Sequence, residues 1–262
     1  IDRSRGLGDV YKRQIMKLHY KKIGDGEPLL ILHGLFGSAD NWGSLAKRLA
    51  TNNTVYLVDL RNHGRSPHSN VMNYESMADD VYELIINEKI DQPILLGHSM
   101  GGKVSLKFTD KYPQILKKLI VADIGIKSYP MHHDIIIKGL KNVDLSVVSS
   151  RSEATSALSF YVKEQGIQQF LLKNLYWIEK GQLAWRMNLN AIESNIFEIL
   201  SEIKMNKTNI KTLFIRGELS NYILKEDYSE IKKVFSKLEI ETVLNAGHWL
   251  HAENPNLSLI HI

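Results

Sequence analysis

The feature that most limits the fold is a set of short, nearly unbroken apolar runs: "LLILHG" (29–34), "TVYLVDL" (54–60), "PILLGHS" (93–99), "LKKLIVADI" (116–124), "KTLFIRG" (211–217) and "IETVLNAGH" (240–248). Each is too short for a buried helix and too continuous for a strand with one face in water. Each therefore reads as a strand covered on both faces. Between them lie stretches of helical period such as "ESMADDVYELIINEKI" (75–90), with Asn73 or Ser76 placed to cap it. Strands alternating with helices predict an α/β fold, a mostly parallel central sheet with helices on both faces. A chain of 262 residues can bury a core of that size.

The alternation fails between about 128 and 205. There "HDIIIKGLKNV", "SEATSALSFYVKEQ", "IQQFLLKNLYWIE" and "LNAIESNIFEILSEI" read as helices without intervening strands. This block is expected to be a helical lid, 128–205, inserted into a core made of 16–127 and 206–256. Its aromatic residues, with Tyr129, Trp177 and Trp185 foremost and Phe36 from the core, are the candidates for contact with a substrate.

Composition narrows the chemistry by exclusion. The chain has no cysteine, so disulfides, thiolate metal sites and cysteine nucleophiles are absent. No histidine or carboxylate grouping has metal-ligand spacing, and no apolar run approaches the length that crosses a bilayer. The segment "IDRSRGLGDVYKRQ" (1–14) has no apolar periodicity and looks like a translated adapter remnant. Residues 1–15 are accordingly expected to be a non-native leader, with Met16 as the natural start. Arg3, Arg5, Lys12 and Arg13 outweigh Asp2 and Asp9 there, so without it the net charge of +4 falls to +2. That is too little to point to nucleic acid or an anionic membrane. A start at Met16 leaves no room for a signal peptide, which favours the cytoplasm. The tail "LSLIHI" (257–262) raises the same suspicion of non-native sequence.

The run at 93–99 ends in "GHSMGG" and leads into a helical pattern. A serine bracketed by glycines two residues away on each side suits a sharp strand-to-helix turn that presents its hydroxyl. Gly97 and Gly101 bracket Ser99 in this way, and Gly102 lets the following helix come close. The pentapeptide alone is a modest signal; its placement between strand and helix strengthens it. Acyl transfer needs backbone donors for an oxyanion, and the N–H groups of Met100 and of Leu35, after "LLILHG", are suitably placed in the sequence.

A serine needs a base. His248, in the loop after the last strand, is the candidate, with His251 as rival; His98, His132 and His133 read as packed or surface residues. The base needs an acid behind it. Asp123, ending the run 116–124, is the first choice and Glu218 the second. Ser220 stands where an aspartate is often found and is positioned to act as a fourth hydroxyl.

With these residues in hand, the chain resembles the α/β-hydrolases, and among them the YbfF-type bacterial esterases and their mitochondrial abhydrolase-domain relatives. The likeness rests on "LHGLFGSADNW", "VDLRNHGRSPHS", "LLGHSMGGKVSLKF", "LIVADI", "FLLKNL", "WRMNL", "IRGELSNYI" and "NAGHWLHAENP". It implies a lid after strand 6 of the fold. It also implies Ser99 as nucleophile, Asp123 as acid, His248 as base, Ser220 in support, and Leu35 and Met100 as oxyanion donors. The implied activity is cleavage of short-chain esters or acyl thioesters, including acyl-CoA, without a cofactor. Arg61 and Arg65 read as structural, paired with Asp59 or a neighbour. Two rivals remain open. One is a menaquinone-pathway-type synthase or carbon–carbon hydrolase, which would want arginines at the cavity, where the lid offers Arg151 and Arg186. The other is a hydrolase-fold receptor of low turnover. Relatives of this kind resume with a closing helix after "HAENP", so a longer natural chain is expected to melt higher than this one.

Overall fold

In the computed structural model, which describes residues 16–256, the six apolar runs and one further strand at Tyr20–Ile23 form a seven-stranded sheet. Along the chain come β1 (Tyr20–Ile23), β2 (Glu27–Leu32), α1 (Gly43–Leu49), β3 (Asn53–Val58), α2 (Tyr74–Asn87), β4 (Ile94–His98), α3 (Met100–Lys111) and β5 (Lys118–Ala122). The inserted segment then supplies α4 (Asp134–Asn142), α5 (Arg151–Ser159), α6 (Gln165–Leu172), β6 (Leu175–Glu179), β7 (Gln182–Trp185), α7 (Leu189–Ser194) and α8 (Ile196–Leu200). The chain returns to the sheet with β8 (Lys211–Gly217), α9 (Tyr228–Val234), β9 (Leu238–Val243) and α10 (Leu250–Glu253). The sheet runs β1-β3-β2-β4-β5-β8-β9, with β1 antiparallel and every other pairing parallel. The leader expected at 1–15 and the tail at 257–262 lie outside the described residues.

The continuous hydrophobicity of the strands has a direct cause. Successive side chains of a strand point to opposite faces, and here both faces are covered. Leu30, Leu32, Tyr56, Val58, Leu95, Leu119 and Val121 join one buried cluster with Val81 and Leu84 of α2 and Val104 of α3. Leu29, Ile31, Val55, Leu57, Leu96, Ile120 and Leu213 join the other with Leu45, Ala46 and Leu49 of α1. Burying each such side chain contributes about 1.5–3 kcal/mol, and the few polar groups buried here are hydrogen-bonded, as Thr54 Oγ1 is to Gly26 O at 3.0 Å and Thr212 Oγ1 is to Ile210 O at 3.0 Å. Asn73 is the cap of α2, its Oδ1 accepting from the Ser76 N–H at 2.9 Å.

The segment between β5 and β8 departs from the expected run of helices: "LNAIESNIFEILSEI" forms two short helices, α7 and α8, and a strand pair stands where a helix was expected. "IQQFLLKNLYWIE" is not one helix. It divides into α6 and β6, and β6 pairs antiparallel with β7 as a two-stranded hairpin. Gly181, at φ +86°, makes the turn that only glycine adopts without strain. The aromatic residues of "LYWIE" suit a pleated surface better than a helix. Among the described residues no helix is long and apolar enough to cross a membrane.

Candidate active site

Two strand ends create the site. The sheet ladder runs one residue past β4, where the Ser99 N–H donates to Ala122 O at 3.0 Å. It also runs one residue past β5, where the Asp123 N–H donates to Ile215 O at 2.7 Å. Immediately there both residues turn left-handed, at φ +53° for Ser99 and +49° for Asp123. A non-glycine residue held there costs on the order of 1–3 kcal/mol, so the surroundings must hold it. The glycines around Ser99 are required by contact. A Cβ on Gly97 would stand 2.2 Å from Gly101 O, and one on Gly101 would stand 2.3 Å from Leu32 O.

The third residue arrives from β9. His248 sits in the loop before α10, and Glu253 of that helix staples the loop by accepting from the Gly247 N–H (2.6 Å) and the Trp249 N–H (3.3 Å). His98 donates from Nε2 to His248 O at 2.8 Å, and the Tyr222 ring stacks on the imidazole at 3.8 Å between centroids. So held, His248 bridges the two strand ends. Its Nε2 is 3.0 Å from Ser99 Oγ and its Nδ1 is 2.8 Å from Asp123 Oδ2. A carboxylate only accepts, so Nδ1 carries the proton and Nε2 is free to take one from the serine. Asp123 is fully buried and also accepts from the Gly217 N–H at 3.0 Å and from the Ser220 hydroxyl. Ser220 therefore bonds the acid and not the imidazole.

The rivals lie elsewhere. Glu218 accepts from the exposed Asn245 N–H at 2.9 Å. His251 stacks flat on Trp42 at 4.0 Å, and burial pushes its imidazole down to about 3. Burial likewise holds His98 well below its ordinary value, so both stay neutral at pH 7. Arg61 pairs with Asp80, through Nε at 2.6 Å and Nη2 at 2.8 Å, and not with Asp59.

A cavity of 260 Å³ opens at Ser99 and His248, walled by Trp42, Ile136, Ile167, Phe170, Leu171 and Trp249. A smaller hollow of 20 Å³ continues past Ser99 to Leu35, Met100, Lys103 and Tyr129. Among the described residues no hydrogen-bond acceptor takes the N–H of Leu35 or of Met100, whereas the neighbouring Phe36 N–H goes to His63. Of the four aromatics expected to meet substrate, Phe36 lines the cavity and Tyr129 the hollow. The two tryptophans do not. Trp177 is 46% exposed on β6, and Trp185 lines a separate surface cleft with Leu140 and Met187. The hairpin turns them away from Ser99, and the tryptophans that do wall the cavity are Trp42 and Trp249, outside the insertion. Trp249 had a readable signal, its place next to His248; Trp42 follows the Leu35 turn in "SADNW". His132 and His133, read as surface, both line the cavity. Arg151 is spent on Leu172 O and Leu175 O, and Arg186 lies over Tyr176, so neither reaches it.

This sheet order, with its strand-end serine, defines a class, and the sequence relationships agree with it. A family model described as "alpha/beta hydrolase fold" matches residues 27–255. The chain belongs to the α/β-hydrolase family. It is 39% identical over 241 residues to the sn-1-specific diacylglycerol lipase ABHD11 of Danio rerio, covering 88% of this chain and 76% of that protein. It is 34% identical over 236 residues to esterase YbfF of Escherichia coli (strain K12), covering 90% of this chain and 91% of the other. Among solved structures, a marine microorganism esterase superposes with a TM-score of 0.91 at 42% identity, covering 94% of this chain and all of that one.

Proposed function

We propose that this hydrolase cleaves carboxylic esters, and thioesters of the same acyl groups, through an acyl-enzyme formed on Ser99. Ser99 Oγ attacks the carbonyl carbon as its proton passes to His248 Nε2. The negative oxygen of the tetrahedral intermediate is met by the Leu35 and Met100 N–H groups, each worth about 3 kcal/mol in such sites. Collapse breaks the bond to the alcohol or thiol, which leaves with the proton from Nε2. Water then attacks the acyl carbon with His248 again as base, and the acid departs. Asp123 accepts from Nδ1–H throughout and stabilises the imidazolium, and Ser220 and the Gly217 N–H keep its carboxylate oriented. No step calls for a cofactor. Residues 128–205 serve as a lid that brings Ile136, Ile167, Phe170 and Leu171 to the substrate.

The observation that carries this reading is the continuous hydrogen-bonded chain Ser99–His248–Asp123 at 3.0 and 2.8 Å. The wall is largely apolar, with histidines and Asn41 but no arginine among its residues, which favours uncharged acyl and alcohol groups over a dicarboxylate. The cavity beside Ser99 measures 260 Å³ and shares Asn41, Ile167, Phe170, Trp249 and His251 with a second cleft; the chamber nearest Ser99 suits a short acyl group, and the cleft offers room for the alcohol or thiol. The test is a panel of p-nitrophenyl esters and acyl-CoAs of rising chain length, with Ser99→Ala as the blank. Turnover highest on short acyl groups and absent in the variant is expected. Wild-type rates no higher than the blank would remove the proposal.

A further inference from the structure

An oxyanion donor works only if it points at the developing charge before the reaction starts, so the question is what aims the Leu35 N–H. That N–H shares one planar peptide unit with Gly34 C=O, and the two groups point in opposite directions. Fixing the carbonyl therefore fixes the donor. Gly34 O accepts from His33 Nδ1–H at 2.8 Å and from the Gly37 N–H at 3.0 Å. The next peptide is held as well, because the Phe36 N–H donates to His63 Nε2 at 3.2 Å. The Phe36 carbonyl, in the peptide after that, accepts from Asn174 Nδ2 at 2.7 Å. Phe36 needs this restraint, since it sits at φ +59° without being glycine.

Both imidazoles act in one tautomer. His33 Nε2 accepts from the Leu60 N–H at 3.0 Å, so its proton is on Nδ1. His63 Nδ1 donates to Arg61 O at 3.0 Å, which leaves Nε2 bare for Phe36. Protonation would put a hydrogen against an N–H in each case, and burial opposes it, pushing His63 down to about 3. The rings lie 5.1 Å apart and are fully buried.

We propose that His63, with His33, is a positioning residue that aims the Leu35 N–H at the oxyanion site by clamping two successive peptide planes. His63 comes from the "DLRNHGRSP" segment, which contributes no residue to the cavity wall, and Asp59 of the same segment holds the far end of the loop through the Ala39 N–H at 2.7 Å. This gives the segment a task in the reaction, and it rests on the hydrolase reading above.

The test compares His63→Asn with His63→Gln. The asparagine amide reaches the Arg61 carbonyl but not Phe36, whereas the glutamine oxygen reaches toward the position of Nε2. With p-nitrophenyl acetate, His63→Asn is expected to lose about 10²-fold in kcat, as when an oxyanion donor is removed, with KM within about threefold. His63→Gln is expected to recover at least tenfold of that loss. Inhibition by an alkylboronic acid, whose tetrahedral adduct places an oxygen at the oxyanion position, should weaken in parallel with kcat. Equal kcat in the two variants, or a loss of kcat with unchanged boronate inhibition, would overturn the clamp. A wild type that hydrolyses no ester would instead overturn the hydrolase reading, so the two failures are distinguishable.

Discussion

The carboxyl edge of the sheet and the inserted segment are both part of the site, but they are built on different terms. At the sheet edge each polar group is held by several others: Asp123 alone takes three hydrogen bonds at zero exposure. The insertion brings mainly apolar side chains to the cavity from α4 and α6, such as Ile136 and Phe170, together with His132 and His133. A hydrogen-bonded edge has one working arrangement, whereas an apolar wall accepts many. If the proposed function holds, reaction type should reside in the sheet edge, and substrate preference in the cavity wall that the insertion shares with Phe36, Trp42 and Trp249.

Substitutions at the edge should therefore be far more costly than those in the insertion. His248→Ala removes the proposed base and is expected to lower kcat on esters by about 10⁶-fold; steady-state rates within a hundredfold of wild type would break the division. Asp123→Asn keeps the shape of the acid and is expected to cost about 10⁴-fold, with a melting curve that shows a folded protein. Stability adds a third contrast. His63 and His251 are buried and neutral, pushed from 6.5 down to about 3. The unfolded chain then binds more protons than the fold between those values, so stability is full above pH 6.5 and falls as the pH drops toward 3. At about 1.4 kcal/mol per pH unit for each group, the urea midpoint at pH 5 should lie clearly below that at pH 7. Equal midpoints would mean these rings are protonated in the fold. Within the insertion, Phe170→Ala should reduce kcat/KM roughly tenfold and shift the preferred acyl length with little change in kcat. Trp177→Ala, on the exposed hairpin, should leave both activity and stability unchanged to within about 0.5 kcal/mol.

The same contrast governs what could be read from the sequence. Ser99, Asp123 and His248 announce themselves because each follows an apolar run, and a residue at the end of a buried parallel strand can only emerge at the sheet's carboxyl edge. Ser220 and the turn at Leu35 are legible for the same reason. The cavity wall is legible only in part: Phe36 lines the cavity and Tyr129 the hollow beside it. Trp177 and Trp185 were expected there on the strength of being aromatic and in the insertion, yet which face of a segment turns inward depends on tertiary contacts that composition does not record. The hairpin at Gly181 decided it. His63 shows a third case. Its segment is among those that carry the resemblance, but its partner, the Phe36 N–H, is a backbone group that no side-chain pattern reveals.

The central claim is that the hydroxyl of Ser99 is activated by its hydrogen-bonded partners. A fluorophosphonate probe reads this directly, because an unactivated serine does not react with it. Intact-mass spectrometry followed by peptide mapping should find one adduct per chain, on Ser99, with none formed on the Asp123→Asn protein over the same time. Folded wild-type protein that takes no label, or takes it on another residue, would contradict the account.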